Sequence, residues 1–192
     1  MHVLANLMEG VAYAGVIGIK GIHMQDMRRK KICIIGAAAV GKTSLVASYS
    51  GSVFSSGYQS TLGVRITRVV VAISERLKEL VVWDIRGESE FYRIDPAYLY
   101  GSDGYVLVAD GTRRATLDCA MDLQTRMEKI VGDIPHVLLI NKLDLNDIWE
   151  VDDAFLSSVH ARVSDVYTCS AHGGITIHTA IENLARRLWG VK

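Results

Sequence analysis

The run GAAAVGKTS, Gly36 to Ser44, limits what this chain can fold into more than any other stretch. It directly follows the apolar segment Ile32 to Ile35 and opens a helical segment at Lys42. Strand, tight loop and helix N-terminus therefore come in the order of a phosphate-binding loop. Such a loop curls its backbone N–H groups around phosphate, and the helix N-terminus adds a favourable dipole. The candidate contacts are Gly36, Ala39, Val40, Gly41, Lys42, Thr43 and Ser44. Lys42 would bring a cation to the outer phosphates, and the Thr43 hydroxyl can ligate Mg²⁺. A chance glycine-rich turn is a poor account, because a turn needs neither the strand before it nor the helix after it.

A second motif narrows the base. Asn141-Lys142-Leu143-Asp144 ends another apolar strand, Val137 to Ile140. A carboxylate at Asp144 can accept two hydrogen bonds from the ring N–H and exocyclic amine of guanine. Adenine offers no such pair, so a buried carboxylate would be left unsatisfied by ATP. Alone, the tetrapeptide reads equally as a strand-ending turn with a capping Asp. Beside the phosphate loop it points to GTP or GDP, with Mg²⁺ as the accompanying ion.

Composition excludes several other classes. The 192-residue chain is 49% hydrophobic and 22% charged, which suits one globular α/β domain. Its 21 basic and 21 acidic residues balance, so no basic field attracts nucleic acid. Cys33, Cys119 and Cys169 show no metal-ligand spacing and read as small buried residues of a reducing compartment. Residues 1–27 stand apart as an N-terminal extension, with 28–192 as the nucleotide-binding domain. The apolar run Val11 to Ile19 lacks the basic flank of a signal peptide and is too short to span a bilayer. It reads as sequence upstream of the true start, as an extra helix packed on the domain, or as an interfacial anchor, preferred in that order.

Beyond Arg28 short apolar runs alternate with segments of helical period. Val64 to Ser74 and Leu80 to Ile85 form a hairpin; Tyr105 to Asp110, Val137 to Ile140 and Val166 to Cys169 are further strands. Thr116 to Val131 is a helix, and Ile177, Ala180, Ile181, Leu184, Ala185 and Leu188 mark the stripe of the last one. The pattern predicts a P-loop NTPase fold: a mainly parallel six-stranded sheet with one antiparallel edge hairpin strand and helices on both faces. Ligands of such sheets bind beyond the carboxyl ends of the strands, where both motifs fall.

From Lys31 to about Leu188 the chain resembles the Ras superfamily of small GTPases, the Rab-like branch most closely. Phe54 to Val64 (FSSGYQSTLGV) is similar to the first switch: the resemblance implies that Phe54 stacks on the guanine edge and that Thr61 binds Mg²⁺ in the triphosphate state. Trp83 to Phe91 (WDIRGESEF) resembles the second switch, implying that Asp84 holds Mg²⁺ through water and that the Gly87 N–H touches the γ-phosphate. Thr168 to His172 (TCSAH) resembles the loop whose Ser170, Ala171 and His172 positions shape the guanine pocket. Tyr98 to Thr112 also looks Rab-like. The resemblance implies a monomeric cytoplasmic switch that hydrolyses GTP and meets effectors and regulators through residues 54–65 and 84–100. The residues implied at the reacting phosphate are Lys42, Arg86, Gly87 and Glu88, and those at the metal Thr43, Thr61 and Asp84.

Departures from the family pattern bear on the chemistry. Glu88 stands where a water-orienting glutamine is usual. Its carboxylate can take a proton from water, or be repelled by the γ-phosphate. Arg86 replaces a small residue and either stabilises transition-state charge in cis or faces solvent. Ala38 replaces a common glycine, and His172 a common lysine. The sequence ends Gly190-Val191-Lys192 without a prenylation cysteine and has His2, so no stable lipid anchor is expected. The alternative to a hydrolysing switch is a nucleotide-stabilised scaffold.

Overall fold

The computed structural model describes residues 11–13, 29–50, 63–74, 76–172 and 175–191. Its strands are β1 (Val11–Tyr13), β2 (Arg29–Gly36), β3 (Val64–Ile73), β4 (Arg76–Ile85), β5 (Gly104–Asp110), β6 (His136–Asn141) and β7 (Val166–Thr168). The helices are α1 (Lys42–Ser50), α2 (Ala115–Val131), α3 (Asp153–His160) and α4 (Ile175–Leu188). One sheet runs in the order β1-β3-β4-β2-β5-β6-β7. Every pairing is parallel except the β3–β4 hairpin.

Six of these strands are those the apolar runs predicted, several of them longer at one or both ends. The seventh comes from the N-terminal extension. Val11–Tyr13 lies parallel to Arg68–Val70, so β3, expected at the edge, has a short strand beyond it. Where one expectation for this run was a helix, these three residues are extended. Phe54 and Thr61, expected in the first switch, fall outside the described residues.

The unbroken apolar runs of β2, β5 and β6 follow from burial on both sides. Successive side chains of a strand face opposite ways. Thus Ile32 and Ile34 join Val106, Val108, Val137 and Leu139 under α1 and α4, where Leu45, Tyr49, Ile177, Ile181 and Leu184 complete one core. Cys33 and Ile35 join Leu107, Ala109, Leu138 and Ile140 on the other side, closed by Leu117, Ala120, Met121 and Met127 of α2. Among the described residues no helix is long and apolar enough to cross a membrane. α3 has no counterpart in the sequence reading, because it is only eight residues long and fully buries only Val159. Its start is set instead by Asp152, whose carboxylate accepts from the Phe155 N–H at 2.7 Å.

The twist and connectivity of this sheet gather the motifs at one end. Gly36, Asp84, Asp110, Asn141 and Thr168 each lie at or next to the carboxyl end of their strand. This is where open parallel sheets bind ligands.

Candidate nucleotide-binding site

The phosphate loop leaves β2 at Gly36 and becomes α1 at Lys42, with the Leu45 N–H donating to the Gly41 carbonyl at 2.9 Å. Ala39 takes a left-handed conformation, φ 60°, which turns the backbone sharply. Gly41 sits at φ 96°, and a Cβ there would lie 2.3 Å from Asn141 Nδ2. Glycine at that position lets the loop approach the second motif.

Lys42 lies under the loop, only 6% exposed. Its ammonium donates to the carbonyls of Ala37 at 2.8 Å and Gly36 at 3.2 Å. Burial lowers its pKa to about 8, with Asp84 opposing the shift. A phosphate anion is the partner that would restore full charge to such a group.

Thr43 and Asp84 meet next to it. The Thr43 hydroxyl donates to Asp84 Oδ2 at 2.6 Å. Asp84 is fully buried, and burial raises its pKa against the opposing effects of Thr43, Lys42 and Arg65. Its other oxygen, Oδ1, is buried without a hydrogen-bond partner. An orphaned carboxylate oxygen beside a hydroxyl is a hard-oxygen set of the kind Mg²⁺ takes. The residues present therefore fit that ion.

Asn141 joins the two halves of the site. Its amide donates to the Val40 carbonyl at 2.9 Å and its oxygen accepts from the Ala171 N–H at 3.1 Å. One buried side chain thus ties the phosphate loop to the loop after β7. Leu143 N also donates to the Cys169 carbonyl at 3.0 Å. Asp144 Oδ1 accepts from the Ser170 hydroxyl at 2.5 Å, and Oδ2 lies 3.6 Å from His172 Nδ1. The Ser170 hydrogen bond leads the causes that hold the Asp144 pKa below its ordinary value. The carboxylate is therefore charged and partly exposed beside the loop.

Two features were not assigned from sequence. Asp110 is fully buried and receives Lys142 Nζ at 2.7 Å, Arg113 Nε at 2.8 Å, and both the Thr112 N–H and hydroxyl at 3.0 and 2.7 Å. Burial alone would push its pKa up, but these hydrogen bonds outweigh it and hold it at about 2. Arg113 also reaches back to the Ala38 carbonyl at 3.1 Å. The second feature is the setting of Glu88. Its carboxylate is 4% exposed and accepts from Ile94 N–H at 2.9 Å, Arg126 Nη1 at 2.5 Å and Arg93 Nη1 at 3.2 Å. Its neighbour Arg86 lays its guanidinium over the Tyr92 ring, 4.4 Å from the centroid.

A phosphate loop tied to an Asn-Lys-Leu-Asp segment at the carboxyl end of this sheet defines the Ras-like P-loop NTPase class. The Ras family model matches residues 31–189. Ras-related protein Rab-7b of Homo sapiens is 30% identical over 161 residues, 82% of this chain and 81% of that protein. Its Mus musculus counterpart is 31% identical over 162 residues, with the same two shares of 82% and 81%. Ras-related protein Rab-3B of Homo sapiens is 28% identical over 173 residues, 88% of this chain and 79% of that protein. The chain belongs to the Ras superfamily of small GTPases, in its Rab-like part.

Proposed function

We propose that this chain is a GTP-binding molecular switch that hydrolyses GTP slowly and signals through nucleotide-dependent loops. The observation that supports this best is Asn141, which couples the Val40 carbonyl of the phosphate loop to the Ala171 N–H of the base loop. Phosphate end and base end are thereby held at a fixed separation, as a nucleotide requires. In this reading Gly36 to Ser44 cradle the phosphates, Asp144 reads the guanine edge, and Ser170, Ala171 and His172 wall the base. Phe54 packs on the base edge.

Thr43, Asp84 and Thr61 hold Mg²⁺, which when bound neutralises phosphate charge. Lys42 stabilises charge on the outer phosphates, and the Gly87 N–H addresses the γ-phosphate. With GTP bound, Thr61 and Gly87 order residues 54–65 and 84–100 for protein effectors and regulators, and hydrolysis releases them. The exposed Phe91, 95% accessible, and Tyr100 lie in that second segment. The proposal places the protein in the cytoplasm as a monomer that takes no nucleic acid.

A second reading is favoured by one specific observation. Glu88 is the candidate for orienting the attacking water, yet its oxygens are held by Arg126, Arg93 and the Ile94 N–H. A carboxylate so engaged does not take a proton from water. A nucleotide-stabilised scaffold with little hydrolysis follows if that state persists with GTP bound. Single-turnover hydrolysis with purified chain loaded with GTP and Mg²⁺ separates the two: measurable phosphate release supports the switch, and none supports the scaffold.

A further inference from the structure

The second switch of this protein lies clamped between the phosphate loop and α2. On one side, its backbone pairs with the loop: the Ala38 N–H donates to the Glu88 carbonyl at 2.7 Å, and the Glu88 N–H donates to the Gly36 carbonyl at 3.1 Å. The preceding residue presses equally close. A Cβ on Gly87 would lie 2.5 Å from the Ala37 carbonyl oxygen and 2.6 Å from Lys42 Nζ. On the other side, Arg126 of α2 grips the segment at two points, donating to Glu88 Oε1 at 2.5 Å and to the Ile94 carbonyl at 3.4 Å. Arg93 adds a weaker contact, since its side chain is 75% exposed whereas that of Arg126 is 29% exposed.

These contacts compete with an outer phosphate for the same groups. An anion-binding loop works by aiming backbone N–H groups at the ligand, and the N–H of Ala38 is already taken by Glu88. Gly87 lies so close to the Lys42 ammonium that a Cβ on it would come within 2.6 Å of Nζ. A terminal phosphoryl group therefore has to lift the second switch off the loop. A diphosphate, one phosphoryl shorter, makes a smaller demand. Whatever stabilises the clamped segment disfavours triphosphate relative to diphosphate, because a ligand shifts a two-state element only by its difference in affinity for the two states.

We propose that Arg126 is a positioning residue whose ion pair with Glu88 holds the second switch closed over the phosphate loop and biases the site toward the nucleoside diphosphate. The inference rests on the guanine-nucleotide reading given above. The latch needs an acid at position 88 and a base at position 126 on the facing helix, both of which this chain has.

The test compares the full chain with Arg126→Gln, measuring affinities for GDP and for a non-hydrolysable GTP analogue in Mg²⁺. Loss of a charge-assisted buried contact raises the preference for the triphosphate analogue about tenfold while GDP affinity stays nearly constant. Arg126→Lys, whose single ammonium cannot hold both Glu88 and the Ile94 carbonyl, gives a smaller rise. If Glu88 and Arg126 act through each other, the double variant with Glu88→Gln shifts the ratio no further than either single change. An unchanged ratio, an equal loss of both nucleotides, or full additivity of the two changes overturns the proposal. Failure of the unaltered chain to bind either nucleotide overturns the underlying reading instead, and the latch with it.

Discussion

The Thr43 hydroxyl donates to Asp84 Oδ2 at 2.6 Å, so the oxygens offered to a divalent ion already touch across the phosphate loop and the end of β4. The contact stands in for the ion in one respect: it gives the buried carboxylate one partner, while Oδ1 keeps none. Bound Mg²⁺ would be held by Thr43 and Asp84 and would take the place of this hydrogen bond. Asp84→Ala and Thr43→Asn should therefore both flatten the Mg²⁺ dependence of triphosphate binding. In the unaltered chain Mg²⁺ should tighten the triphosphate about tenfold or more, since hard carboxylate and hydroxyl oxygens complete its shell. Equal Mg²⁺ dependence in all three proteins, measured by calorimetry at several Mg²⁺ concentrations, would remove these residues from the metal site.

Asp144 sits at the opposite end of the site, held by Ser170 and facing His172. It is partly exposed, so the fold does not depend on it. Asp144→Ala should leave the melting temperature nearly unchanged and weaken GTP and GDP alike by about a hundredfold, because both guanine donors lose a charge-assisted partner. ATP affinity should not fall. A folded variant that keeps its guanine affinity would sink the base assignment.

How much of this could be read beforehand depends on the sequence distance between partners. The phosphate loop, the six main strands and the base tetrapeptide each lie within a dozen consecutive residues, so their chemistry shows as local pattern. Lys42 and Asn141 could be placed for the same reason. Asp110 could not, although it lay inside a stretch that resembled the family. Its role is defined by Lys142, 32 positions away on another strand end, and a strand-ending Asp looks like an ordinary cap until the fold supplies that cation.

The pairing of Glu88 with Arg126 is of the same kind, spanning 38 positions between a loop and a helix. In the sequence Glu88 reads as catalytic or as repelled by phosphate, and its partner Arg126 comes beside it only through the fold. β1 escaped notice because three apolar residues among glycines read as readily as helix.

That short strand leads to a prediction about residues 1–26. Among the described residues Val11–Tyr13 pairs with β3 alone, beside the hairpin and away from the phosphate loop and base loop. A chain starting at Met27 should therefore fold and bind guanine nucleotide as the full chain does. Loss of a three-residue ladder should lower the melting temperature by a few degrees at most, about what one or two net hydrogen bonds contribute. A large drop, or precipitation of the shorter chain, would show that the extension closes the sheet edge. Co-sedimentation with anionic vesicles by the longer chain alone would instead reveal an interfacial anchor.

The protonation of Lys42 yields a prediction with a definite sign. Burial lowers its pKa in the folded chain to about 8, from the 10.5 of an ordinary lysine. Between those values the folded chain binds fewer protons than the unfolded one. Burial of Lys42 therefore costs stability below the lower value, and the cost fades as pH rises toward the upper one. A bound triphosphate favours the ammonium and draws its pKa back up. Nucleotide binding should then take up almost no proton at about pH 7 but most of one at about pH 9. Calorimetry in two buffers of different ionisation enthalpy reads this uptake directly. Lys42→Arg should bind more weakly and show no uptake at either pH, because a guanidinium stays charged throughout. Uptake that persists in Lys42→Arg would assign the proton to another group and separate Lys42 from the outer phosphates.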